Sequence, residues 1–195
     1  YPAKVLSTNS KSGSCFLISV SGRLLIKTIS KNEAKALMDI LPGYIEHFRA
    51  LPDTMIGRYL ALFRIDFGDG KSRYITIMQS VFDSPLEVHS MFDLKGSTWH
   101  RTAKAAEVVK KDLDWISEER ELRLADEDKA RLARIHRRDC DFLARFKVMD
   151  YSVLVGVSKL EGPSPPMTWA SRDGTECYHL GIIDFLVEYG LRKRA

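Results

Sequence analysis

Residues 148–157 read VMDYSVLVGV, which sets an acidic residue, Asp150, at the entrance to a β-rich apolar run. Upstream, apolar residues recur at three-to-four spacing through Leu132, Ile135, Phe142, Leu143 and Phe146, so an amphipathic helix feeds this run. The charge-dense stretch that carries the helix begins at about Lys104. Downstream, Glu161 to Gly174 is rich in Pro, Gly and Ser and predicts a loop. Cys177 to Ile183 (CYHLGII) then predicts a buried strand that delivers Asp184 at its end.

The other half is strand-rich. Cys15 to Val20 (CFLISV) and Arg23 to Ile29 (RLLIKTI) are β-rich runs joined by Ser21-Gly22, a hairpin pattern. Ser30 and Glu33 form the S-x-x-E capping box ahead of Ala34, Leu37, Met38 and Leu41 at helical spacing, and Pro42-Gly43 predicts the end of that helix. Leu60 to Phe67 and Arg73 to Gln79 flank Gly68-Asp69-Gly70 and predict a second hairpin. Hairpin, helix, hairpin describes a small antiparallel sheet carrying one helix, so the fold class is α+β.

With 195 residues, 45% of them apolar, the chain can bury one sizeable core and two small lobes. Its formal charge of +4 suits an anionic partner but is far below that of a nucleic-acid-binding tail, and no RNA-binding motif accompanies it. Three scattered cysteines without metal spacing point to a reducing compartment. No stretch approaches the roughly 20 apolar residues that span a bilayer, so membrane contact is expected to be peripheral. Neither end shows a cap or a natural stop, and the sequence is expected to belong to a longer protein.

Phosphoryl transfer requires a backbone cradle, a cation on the phosphates, carboxylates for Mg²⁺ and a carboxylate that positions the acceptor. Each requirement has a candidate here. Asn9 to Cys15 (NSKSGSC) offers a small-residue turn whose N–H groups could face a triphosphate, although such a turn is also an ordinary loop. Lys27 lies inside LLIKTI, where an ammonium either finds a partner or snorkels to the sheet edge. Asp150 and Asp184 stand at the ends of apolar runs, positions shared by metal-binding aspartates and structural turns. His89, Asp93, Lys95 and Arg101 crowd HSMFDLKGSTWHR, either an anion site or a charged loop.

Taken in order, KSGSCF (11–16), LLIKTI (24–29), DLKGST (93–98), VMDYSVLVG (148–156) and GIIDFL (181–186) resemble the phosphatidylinositol phosphate kinases over nearly the whole chain. The DLKGS and MDYS-[LV]-L motifs are highly specific. The resemblance implies a two-lobed kinase-like fold forming one catalytic core, with an N-lobe at about 1–79 and a linker and mixed C-lobe at about 80–195. It implies that ATP sits under Ser12, Gly13 and Ser14, that Lys27 contacts its phosphates, and that Met78 and Val81 in IMQSVF (77–82) meet adenine. Asp150 then orients or deprotonates an inositol hydroxyl, and Asp184 holds Mg²⁺. Asp93, Lys95 and Arg101 help place the lipid substrate.

The resemblance further implies a cytoplasmic enzyme, peripheral at an anionic membrane such as the plasma membrane, that converts phosphatidylinositol 4-phosphate to the 4,5-bisphosphate. Arg192-Lys193-Arg194 would assist membrane contact. The family's specificity loop is expected beyond Ala195, and any homodimer through regions outside this chain. Ser10 stands where the family's turn commonly has glycine, and Val155 where protein kinases keep a second metal ligand. The alternative is a phosphoinositide-binding pseudokinase that retains the lipid site without catalysis.

Overall fold

A computed structural model describes residues 3–6, 15–66, 68 and 72–188. The chain divides into two compact units, one of residues 1–46 and 57–83, the other of residues 47–56 and 84–195. Both mix strands and helix, the α+β class expected from the sequence.

The first unit is built on five antiparallel strands, β1 (Ala3–Leu6), β2 (Phe16–Ser19), β3 (Leu24–Ile29), β4 (Tyr59–Asp66) and β5 (Ser72–Gln79), in the order β1-β2-β3-β5-β4. Both expected hairpins are present. Gly22 turns the first with φ of +72°, a conformation that a side chain disfavours. In β3, Lys27 faces Phe16 on one side and Thr76 on the other.

Helix α1 (Lys31–Ala50) starts at the predicted capping box. Ser30 Oγ accepts the Glu33 N–H at 3.1 Å while Glu33 Oε2 accepts the Ser30 N–H at 2.7 Å. The expected stop at Pro42 does not occur, since the helix runs through it to Ala50. Proline inside a helix costs about 3 kcal/mol or more. Ala34, Leu37, Ile40 and Tyr44 remain buried at three-to-four spacing on both sides of it, and each large apolar side chain buried returns about 1.5–3 kcal/mol. The buried Tyr44 hydroxyl donates to the Gly57 carbonyl at 2.8 Å and accepts the Tyr59 N–H at 2.9 Å. Burial pushes its pKa up to about 12.

The second unit holds a five-stranded mixed sheet ordered β10-β11-β9-β6-β7, with β6 (Val88–Leu94), β7 (Val109–Lys110), β9 (Ser152–Lys159), β10 (Thr168–Ala170) and β11 (Glu176–Ile183). Within this sheet the β6–β7 pairing is parallel and the other described pairings are antiparallel. A two-stranded ladder of β8 (Val148–Met149) and β12 (Val187–Glu188) lies beside it in sequence. Strand β6 occupies half of a segment that the sequence suggested was a charged loop, and β10 interrupts the loop expected from Glu161 to Gly174.

Helices α2 (Asp112–Ser117) and α3 (Asp126–Arg145) complete this unit, α3 being the predicted amphipathic helix. Phe92, Leu124, Val155, Val157 and Tyr178 form a buried cluster against which Trp115, Leu132 and Leu180 pack. Asp139, fully buried on α3, accepts from Met55 N–H at 2.7 Å and from Thr54 Oγ1 at 2.7 Å. His47 Nε2 lies 2.7 Å from the same carboxylate, and its ring stacks on Phe142 with centroids 4.4 Å apart. A lone buried acid would be costly, but here its oxygens are fully engaged. This network fastens segment 47–56 to α3 within the second unit, alongside the Ile182 N–H to Met55 carbonyl bond of 2.7 Å.

Candidate active site

Strands β9 and β11 pair antiparallel from Glu176–Lys159 to Ile183–Ser152. Pairing resumes at Met149–Val187 between β8 and β12. Between the two ladders lie Asp150 and Tyr151 on one strand and Asp184, Phe185 and Leu186 on the other, a two-against-three mismatch of the bulge type that redirects side chains beside functional sites. Both aspartates have left-handed backbones, with φ of +62° at Asp150 and +58° at Asp184, and both are exposed. Two carboxylates therefore emerge where adjacent strands break register. Non-glycine residues in this conformation carry backbone strain, which concentrates at functional sites.

Among the described residues, no three His, Cys, Asp or Glu side chains converge as a cage for a metal. Mg²⁺ bound to a nucleotide needs no such cage, because one or two carboxylates with phosphate oxygens and water complete its octahedron. The two exposed carboxylates at the strand break are of the type such a donor set uses.

In the first unit, Lys27 is half-buried with Nζ 5.3 Å from the centroid of the Phe16 ring. Met78 is buried on β5 opposite Leu25, and Val81 is half-buried in the turn that follows. Ser12, Gly13 and Ser14 lie outside the described residues, as do Arg192, Lys193 and Arg194.

The DLKGST segment leaves β6 after Leu94. Asp93 pairs with Leu154 across the sheet, and its Oδ1 is buried with no hydrogen-bond partner among the described residues. Lys95 is exposed, as is Trp99, at 80%, with its indole 4.6 Å from the His100 ring. Arg101 is different. Its side chain is only 13% exposed, with Nε 2.7 Å from Asp112 Oδ2 and Nη2 3.4 Å from Asp93 Oδ2. Nη2 also donates to the Asp93 carbonyl.

Asp112 had no part in the reading of the sequence. Burial alone would raise its pKa, but the Arg101 hydrogen bond and the Gly96 N–H outweigh burial and hold its carboxyl below the usual range. The signal available was an acidic residue in the first turn of a short helix, which ordinarily indicates only helix-end electrostatics.

A cleft of about 1170 Å³ opens within the second unit, lined by apolar Leu94, Val153, Val155 and Leu180 and by Lys95, Lys129, His136, Asp150 and Tyr151. It brings Asp150 and Lys95 to one surface. Cys140 also lines it, with Sγ 3.5 Å from His136 Nε2. Burial, reinforced by a hydrogen bond with Cys140, pushes the Tyr151 hydroxyl up to about 12.

The sequence profile of the phosphatidylinositol-4-phosphate 5-kinase family matches residues 1–168. The chain belongs to the phosphatidylinositol phosphate kinase family. It is 36% identical over 83% of its length to a probable phosphatidylinositol phosphate kinase of Dictyostelium discoideum, of which it covers 24%. Against the phosphatidylinositol 4-phosphate 5-kinase type-1 alpha of Rattus norvegicus the identity is 33% over 82% of this chain and 30% of the relative. The phosphatidylinositol 5-phosphate 4-kinase type-2 beta of the same organism is 34% identical over 76% of this chain and 37% of the relative. This phosphatidylinositol phosphate kinase chain thus spans well under half the length of these relatives.

Proposed function

We infer that the chain carries the phosphoryl-transfer centre of a lipid kinase that moves the γ-phosphoryl of ATP onto the inositol ring of a phosphatidylinositol monophosphate. The observation that carries this reading is the pair Asp150 and Asp184, both exposed and left-handed, one on each strand where the β9–β11 ladder breaks register. Asp150 and Lys95 line the same cleft, which supplies both residue types that a hydroxyl acceptor bearing a phosphate requires.

In this mechanism Lys95 pairs with the phosphate already on the ring and presents the neighbouring hydroxyl to Asp150. The Asp150 carboxylate accepts the hydroxyl proton as the oxygen attacks the γ-phosphorus. The bond to the β–γ bridging oxygen breaks, and ADP leaves with that electron pair. Lys27 offsets charge on the ATP phosphates. Asp184 would hold Mg²⁺, which would supply further neutralisation of phosphate charge.

The acceptor assigned is phosphatidylinositol 4-phosphate, giving the 4,5-bisphosphate, supported by the matching family profile and by relatives named as 4-phosphate 5-kinases. The reaction takes place at an anionic bilayer on the cytoplasmic side, the plasma membrane being the site proposed. No helix among the described residues is long and apolar enough to cross a membrane. Exposed Lys95 and Trp99 are side-chain types that settle at such a surface.

The decisive experiment incubates the complete protein with γ-labelled ATP and vesicles containing each of the three monophosphorylated phosphatidylinositols. Label is expected in lipid, most strongly with the 4-phosphate. Sedimentation with vesicles without label transfer would establish a binding module instead, and strongest transfer to the 5-phosphate would reassign the acceptor.

A further inference from the structure

The geometry points to Asp112 as the positioning residue that sets the backbone of the Lys95–Arg101 loop and so aims the Lys95 ammonium at the acceptor's phosphate. The assignment rests on the reading of Lys95 given above.

The loop between β6 and β7 has no ladder to satisfy its first backbone donors, and such donors need partners. The N–H groups of Lys95 and Gly96 both turn to Asp112 Oδ1, at 3.0 and 2.8 Å. Gly96, at φ +69°, allows successive N–H groups to converge on one point. A concavity of this kind ordinarily receives an external anion, but here an internal carboxylate fills it. These N–H groups are therefore committed, and the loop's offering to a phosphate is the exposed Lys95 side chain.

The other oxygen of Asp112 completes the brace. Oδ2 accepts from Arg101 Nε at 2.7 Å, and Arg101 in turn donates to the Asp93 carbonyl. The Leu113 N–H bonds the Arg101 carbonyl at 2.9 Å, so the loop's far end is tied to the residue next to Asp112. One carboxylate thus links the exit of β6, the Lys95–Gly96 peptide and the closing arginine. Trp99 and His100, between Gly96 and Arg101 in the same loop, are exposed.

Asp112→Asn in the complete protein keeps the side-chain volume and one acceptor oxygen but turns an NH₂ group or a neutral oxygen toward Arg101. With vesicles of phosphatidylinositol 4-phosphate, the acceptor KM is expected to rise about tenfold while the ATP KM holds and kcat per folded molecule stays within about twofold. Amide exchange at Lys95 and Gly96 should accelerate. Lys95→Met should raise the acceptor KM as well, and adding Asp112→Asn to it should raise it no further.

A fall in kcat with both KM values unchanged, tracking a lower melting temperature, would make Asp112 purely structural and overturn the assignment. So would an unchanged acceptor KM in Asp112→Asn beside a raised one in Lys95→Met, which leaves the reading of Lys95 standing. An unchanged acceptor KM in Lys95→Met removes that reading and the assignment with it. Should Asp112→Asn fail to fold, Arg101→Lys, which keeps the charge but loses the fork, is expected to show the same KM split at about threefold. No split there overturns the assignment equally.

Discussion

Ser152 faces Ile183 as the terminal pair of the β9–β11 ladder, and Asp150, two residues before Ser152, and Asp184, directly after Ile183, both turn into the left-handed region. Pairing resumes at Met149 and Val187, so the interruption is confined to a few residues held at both ends by backbone hydrogen bonds. Asp150→Asn removes the proposed proton acceptor while fitting the same backbone, since asparagine tolerates this conformation. Turnover should fall by about a hundred- to ten-thousand-fold with ATP binding retained. Wild-type kcat in a lipid-phosphorylation assay would remove Asp150 from the chemistry.

Lys27 is half-buried on β3 with its ammonium over the Phe16 ring. Lys27→Met preserves the apolar stem and deletes the charge. The ATP KM should rise and kcat fall together, because phosphate neutralisation counts in both ground and transition states. If the variant alters only the melting temperature, the lysine serves the packing of the sheet alone, where a cation over an aromatic face is worth about 0.5–1 kcal/mol.

Asp139 supports α3 and segment 47–56 without lining the cleft. Replacing it with alanine strands the Met55 N–H, the Thr54 hydroxyl and the His47 ring in a dry interior. Stability should drop by about 2–4 kcal/mol, with substrate KM values unmoved in whatever fraction remains folded. Urea denaturation followed by fluorescence supplies the measurement. A loss of under about 0.5 kcal/mol would mean that water replaces the carboxylate.

His179 is buried beside Ser158, with Nε2 2.9 Å from Oγ, and burial holds its pKa below the ordinary 6.5. The folded state therefore binds this proton less readily than the unfolded chain does. Stability is complete above about pH 6.5 and declines as pH falls below that value, because the unfolded state takes up a proton that the native state resists. His179→Gln should flatten the stability profile below about pH 6.5. An unchanged slope would show that His179 is protonated equally in both states.

Trp99 is 80% exposed four residues beyond Lys95. Trp99→Ala should lower partitioning onto anionic vesicles by roughly tenfold, as expected from returning one large aromatic side chain to water, without changing thermal stability. Equal partitioning of the two proteins would place the membrane contact elsewhere.

Much of this architecture was legible before any coordinates. The Ser21-Gly22 hairpin, the capping box of Ser30 and Glu33, the amphipathic α3 and the strands ending near Asp150 and Asp184 follow from local chemistry, and local chemistry is what a sequence displays. Pro42 misled because the penalty of a proline is local whereas the burial of Ile40 and Tyr44 is tertiary. Strand β6 was hidden since His89 and Asp93 alternate with its apolar residues in a segment dominated by charge.

The least legible feature was the fate of Arg101. Sequence reading offered it to the lipid, and the structure adds that two acids hold it beside the cleft that Lys95 also lines, one of them Asp112, eleven residues away by way of an irregular loop. No periodicity announces such a contact. Asp139 was missed for the same reason, an acid in a run of arginines whose partners lie more than 80 residues earlier.

The left-handed backbone at Asp150 and Asp184 has a consequence for how this fold can change over time. Glycine and asparagine are the residues most at ease in that conformation, and each is a single nucleotide substitution from aspartate. The mutations that would silence the chemistry are thus among those the backbone accepts most readily. On the roles proposed for them, the backbone conformation offers little resistance to their loss, and selection on catalysis would have to keep the two carboxylates in place.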